Sequence, residues 1–170
     1  DAWRGQADAQ LKAIEQRSTT STEAYELFLM ARGFQRKGSE RLKPVIIRLC
    51  RRSVELDPGF ARGWALMSFA ESELSQRGVD GYSNEGALAS AEQAIAADPS
   101  VAEGHAALAE ALVRAKLEDA RFDGVLETAL QLDPDCYEAH TIAGALAIGR
   151  RQYDKAVTHL ERAIELDPDA

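Results

Sequence analysis

Few residues in this chain are of a type that does chemistry, and most of those fail on spacing. His105 and His140 stand 35 residues apart, and His159 follows by itself. Two imidazoles in register would supply half a metal site. Packing between helices accounts for both with less, and His159 reads as an exposed residue. Cys50 and Cys136 are single, set among apolar neighbours, and show no CxxC or metal-ligand spacing. Both read as reduced core thiols, which fits a cytoplasmic setting. The stretch GFQRKGSE, from Gly33 to Glu40, has its glycines spaced as in a phosphate-cradling loop. It lacks the lysine after the second glycine and follows a helical pattern instead of a strand, so it reads as a helix–helix turn. No GxSxG, HExxH or Asp-rich calcium loop occurs. These residues imply no enzyme activity, no cofactor and no metal, which leaves recognition as the function to test.

The 170 residues make about one domain, with 45% hydrophobic residues to bury and 6% aromatics. Abundant alanine suits close helix packing. A net charge of −8 repels phosphate, which disfavours nucleic acid and anionic membranes as partners. No apolar run reaches membrane-spanning length, and no signal peptide opens the chain. It begins on Asp1 instead of Met, which reads as a piece of a longer protein.

Four Asp-Pro pairs punctuate the sequence, at Pro58, Pro99, Pro134 and Pro168, spaced 41, 35 and 34 residues apart. A period in this range is the mark of a solenoid. Before Pro168, Tyr153, Ala156, Val157, Leu160, Ala163 and Ile164 form one apolar stripe on a helix. After Pro134 a second helix, rich in small residues, runs to Gly149. Each period is therefore a helix pair, and proline stops one pair from running into the next.

The phased residues are His140, Ala143, Gly144, Ala147, Ala156, Leu160, Ala163 and Pro168 in the last period. In the third they are His105, Leu108, Ala109, Leu112, Phe122, Leu126, Ala129 and Pro134. The second carries Trp64, Met67, Ser68 and Glu71, then Ala87, Ala91, Ala94 and Pro99. The first carries Leu27, Met30, Ala31, Phe34, Ile46, Cys50, Ser53 and Pro58. This pattern resembles the tetratricopeptide repeat family. The resemblance implies an all-α, right-handed superhelical solenoid of antiparallel helix pairs. The expected divisions are an N-terminal helix and linker at 1–20, a degenerate first repeat at 21–58 with about three extra residues, and a second repeat at 59–99. A third repeat follows at 100–134 and a fourth at 135–170. Phe122 is larger, and Ala147 and Glu71 are less bulky or less apolar, than the family pattern favours. Trp3, Ala7, Leu11 and Ile14 give the N-terminal segment one apolar face for packing on repeat one, and Thr20 with Glu23 has capping-box spacing. The second repeat is lengthened by seven residues around 75–84, which read as a protruding loop with Tyr82 near its tip.

The resemblance also implies a concave binding surface lined from the first helix of each pair. The lining residues would be Arg62, Ala65, Phe69 and Ser72, then Glu103, Ala106, Glu110 and Val113, then Glu138, Thr141, Ala145 and Ile148. The Lys, Arg and Asn set with which chaperone-binding relatives hold C-terminal carboxylates is missing. Such a groove suits a partner helix or extended segment with apolar anchors and basic residues, unless its glutamates are merely solvated. Arg32, Arg36, Lys37, Arg41, Lys43, Arg48, Arg51 and Arg52 oppose only Glu40 between residues 32 and 52. This basic patch either docks an acidic surface, pairs neighbouring molecules into a homo-oligomer, or is a solvated outer helix. Val157, Leu160 and Ile164 form an expected exposed terminal face, which either meets another molecule or is covered by sequence beyond Ala170. The phrase EAYELFLMARG at the start of repeat one is similar to the openings of tetratricopeptide tails in bacterial nucleotide cyclases and winged-helix regulators. That similarity implies a regulatory or oligomerising tail, and the competing expectation is a module that holds substrate for an enzyme such as a transferase.

Overall fold

The chain is described by a computed structural model over residues 19–115 and 122–168. Regular structure there is entirely helical. The helices are α1 (Thr22–Arg36), α2 (Lys43–Leu56), α3 (Ala61–Gln76), α4 (Asn84–Ala97), α5 (Ala102–Arg114), α6 (Phe122–Leu132), α7 (Tyr137–Gly149) and α8 (Tyr153–Leu166). A 3₁₀ turn, Glu40–Leu42, precedes α2. It absorbs the extra residues of the first repeat, and Pro44 then sits in the first turn of α2, where a missing N–H costs nothing.

Each helix packs on the next in the chain, and the first helices also pack in series, α3 on α5 and α5 on α7. The result is a stack of helix pairs with two buried clusters. One centres on Phe28, Ile46, Cys50, Phe60 and Met67, the other on Phe69, Leu108, Leu112, Phe122 and Leu126. The segment 1–18 and its expected helix lie outside the described residues. Ser21 and not Thr20 caps α1: its side chain accepts a hydrogen bond from the Ala24 amide at 3.2 Å. Thr20 falls one residue short of the helix start, and Thr19 is instead held by its hydroxyl to Asp57. Met30, placed among the core-facing positions by the repeat pattern, is 54% exposed, while Phe28 is buried. In the long connection of repeat two, Gly78 and Gly81 take the positive φ angles that its tight turns need. Tyr82 does not protrude from it but packs back on the first cluster, because its ring gains more from burial than the loop loses in freedom.

The Asp-Pro corners are built alike. Asp57, Asp98 and Asp133 each donate their amide back into the preceding helix, to Ser53, Ala94 and Ala129. Their side chains accept from the amide two residues on, at 3.0 Å from Gly59, 2.9 Å from Ser100 and 2.9 Å from Asp135. The proline carbonyl then accepts a ring N–H six residues later: Trp64 to Pro58, His105 to Pro99 and His140 to Pro134, each at 2.9 Å. A carbonyl only accepts, so both histidines carry their proton on Nε2 in this bond.

Close helix approach depends on small residues. A Cβ built on Gly144 of α7 would stand 2.6 Å from Leu160 Cγ of α8. Replacing Gly144 with Ala is expected to destabilise the chain by about 1–3 kcal/mol through overpacking. In a double-mutant cycle read by urea denaturation, Leu160→Ala should recover part of that loss. Strictly additive effects would show that the two residues do not compete for space.

Candidate functional site

The chain curls until its first and last repeats touch. Arg36 at the end of α1 reaches Asp167 beyond α8, with 3.3 Å between Nη2 and Oδ1. The concave side encloses a cavity of about 420 Å³. Its apolar lining includes Phe28, Ala65, Leu66, Phe69 and Tyr137, and its charged lining includes Arg32, Arg36, Arg62, Glu103, Asp135 and Glu138. The repeat pattern pointed to Arg62, Ala65, Phe69, Glu103 and Glu138. It did not point to Phe28, Arg32, Arg36 and Asp167: Phe28 and Arg32 come from α1 beside α3, and Asp167 comes from the far end, where it meets Arg36.

The remaining expected lining residues lie elsewhere. Ala106 is fully buried, as Ala65 and Phe69 nearly are, because these positions face the next first helix in the stack. Thr141, Ala145 and Ile148 hold the same positions on α7, the last first helix among the described residues, and Ile148 is 50% exposed. The expected row of open acidic points is also altered. Glu103 is paired with Arg62 at 3.0 Å, and Glu110 with Arg114 at 2.5 Å. Burial raises the Glu110 carboxyl above the usual range even so. Burial likewise raises the Glu138 carboxyl above the usual range, and the nearby Glu103 adds to this, while its own backbone amide, Arg32 and the Cys136 thiol oppose it.

The basic patch is broken up by the fold. Lys43 is a correction to it: the side chain is buried, 2.7 Å from Glu73 and 2.9 Å from Gln35, because α2 begins against the end of α3. Arg32 and Arg36 line the cavity. Lys37, Arg41, Arg48, Arg51 and Arg52 remain on the exposed outer surface, and Arg52 sits 3.5 Å from Glu55. At the far end, Val157 and Ile164 are 53% and 63% exposed, whereas Leu160 is half-buried against Gly144.

His140 is not aligned with His105 at a shared site. It meets His159, expected to stand alone, with 3.0 Å between the two Nδ1 atoms. Because His140 donates from Nε2 to Pro134, its Nδ1 accepts, and His159 donates from Nδ1. Among the described residues no group of three or more His, Cys, Asp or Glu is placed to hold a metal ion. Cys50 and Cys136 are free and buried, and burial drives both thiols far above their ordinary range. Glu71, where the repeat favours a bulky apolar residue, is buried and accepts from Ser90 Oγ at 2.6 Å. No helix among the described residues is long and apolar enough to cross a membrane.

No protein-family model and no curated protein matches this sequence. Solved structures do share its shape. A thermophilic TPR protein of Thermus thermophilus aligns with a TM-score of 0.62 and 20% identity, over 85% of this chain and 75% of its own. A mutant O-GlcNAc transferase of Thermobaculum terrenum aligns at 0.59 and 24% identity, over 76% of this chain but 23% of the transferase. The protein MamA aligns at 0.54 and 17% identity, over 98% of this chain and 92% of its own. With four phased helix pairs, these define the fold as an all-α tetratricopeptide-repeat solenoid.

Two titrations follow from this geometry. Burial, then His140 and Lys155, lower the His159 pKa from its ordinary value near 6.5. The fold therefore favours neutral His159, and this contribution is complete above pH ~6.5 and lost as pH falls further. Thermal melts of His159→Gln should show a weaker loss between pH ~6.5 and 5 than the parent chain. For Glu138 the sign reverses, since a raised carboxyl opposes folding while ionised. Glu138→Gln should raise the melting temperature at pH 7–8, with the gain shrinking toward pH ~4.5. Parallel melting curves across that range would refute it.

Proposed function

We propose that this chain is a non-catalytic protein-interaction scaffold that holds a partner segment at its concave cavity. The observation that carries the reading is the cavity itself, whose lining brings Glu138 together with the Arg62–Glu103 pair, Arg32, Phe28 and Tyr137. A carboxylate in such surroundings gains most from an incoming cation, since enclosure strengthens the pair. The partner is therefore a basic or amphipathic helix or strand, with apolar groups to rest on the aromatic lining. The rigid stack favours docking with little change of shape.

The phrase at the start of repeat one supports a regulatory or oligomerising tail of a larger bacterial signalling protein in the cytoplasm. A second reading, a partner- or substrate-holding module of a larger enzyme, draws on the transferase of Thermobaculum terrenum. Its match to this chain occupies 23% of its length, so an array of this shape occurs within a much longer enzyme chain. Cationic amphipathic peptides, titrated calorimetrically, are expected to bind with an affinity that falls as salt rises. Glu103→Gln combined with Glu138→Gln should weaken them about tenfold, the worth of one charge-assisted bond. Equal affinity in the double variant, or no salt dependence, would remove the cavity from the binding reading.

A further inference from the structure

Among the described residues three arginines line the concave cavity, and each already has a partner there. Arg62 pairs with Glu103, and the Arg32 guanidinium lies 5.8 Å from the centre of the Phe28 ring. Arg36 meets Asp167 at 3.3 Å. The first two contacts lie between neighbouring helices or within one. The third joins the last turn of α1 to the residue that closes α8, and both of its members line the cavity.

The two sides of that bond are unequal. The Asp167 side chain is 19% exposed, and its backbone amide is fixed to the Ala163 carbonyl, so the acid is held in place. A carboxylate so placed has given up much of its water and depends on a cation to offset the loss. The Arg36 side chain is 55% exposed. When the bond parts, its guanidinium regains water, and the carbonyl end of α1 still favours its charge. Leaving therefore costs Arg36 little, whereas Asp167 needs a replacement. A partly exposed pair is weak enough for an incoming cation to compete with it.

We propose that Arg36 is an internal competitor for the cationic side chain of the partner, and so sets how strongly the cavity binds it. The inference rests on the reading of the cavity as the site of a basic segment. A lysine or arginine of that segment takes Asp167, and Arg36 turns out to solvent. One ion pair is exchanged for another instead of being added. Entry of a cation alone then gains little, and the segment must also cover the apolar lining to bind firmly.

The test is calorimetry on the whole chain with a synthetic amphipathic peptide of lysine and leucine. Arg36→Gln should bind it about three- to fivefold more tightly than the parent, the scale of one partly exposed pair. Its affinity should also fall more steeply with salt, since binding then adds a pair. The gain should vanish when Asp167→Asn is present as well. Arg41→Gln, an equal loss of charge on the outer surface, should change the affinity little. Arg36 is mostly exposed and Asp167→Asn keeps the amide bond to Ala163, so both variants should melt with the parent. A gain that persists in full beside Asp167→Asn would make Arg36 a distant charge and overturn the proposal. So would an affinity that Arg36→Gln leaves unchanged or lowers. If Glu103→Gln with Glu138→Gln weakens the peptide while Arg36→Gln has no effect, the cavity reading stands and this inference alone fails. Absence of binding to parent and variant alike overturns both.

Discussion

The solenoid hangs on the hydrogen bond between each corner proline's carbonyl and a ring N–H six residues later. A helix pair ending in Asp-Pro exposes backbone groups that no regular structure will satisfy, and each must find a partner. The aspartate closes two of them, one through its amide and one through its carboxylate. The proline carbonyl is left, and Trp64, His105 or His140 reaches back to take it. One such bond contributes only about 1 kcal/mol. Its greater effect is geometric, since it ties the start of each first helix to the end of the pair before it. Repeated three times, that tie sets the curl which brings Arg36 to Asp167.

Curl and chemistry are linked in this way. The cavity draws on α1, α3, α5, α7 and the end of α8, so any change in the angle between pairs alters its walls. Its cations and acids are largely matched to one another, Arg62 with Glu103 and Arg36 with Asp167. The partly exposed Arg36–Asp167 pair contributes little to stability. Among the described residues Glu138 has no ion pair of this kind, although Arg32 lies near enough to oppose the rise of its pKa.

Much of the fold was legible in the residues. The Asp-Pro spacing and the 3.6-residue stripes depend on local chemistry, and they yielded the helix pairs and the burial of both cysteines; the turn expected at Gly33 to Glu40 is shorter, because α1 runs on to Arg36 and only residues 37–39 leave the helix. The candidate site was legible only in part. Arg62, Ala65, Phe69, Glu103 and Glu138 were found by their place in the repeat, yet nothing in the spacing said that Glu103 and Glu110 would be taken up by Arg62 and Arg114. Lys43 looked like part of a basic surface because its neighbours in sequence are basic. Its half-buried partner, Glu73, is 30 residues away.

Helix starts, stops and apolar stripes are short-range properties, set within a turn or two by backbone geometry and side-chain shape, and the order of residues was enough to establish them. Which side chains meet across the array is a long-range property. Arg36 and Asp167 are 131 residues apart, and their contact sums small rotations at each corner. No local pattern encodes that sum. The cavity, the pairing of its charges and the meeting of His140 with His159 therefore appeared only once the helix pairs were stacked.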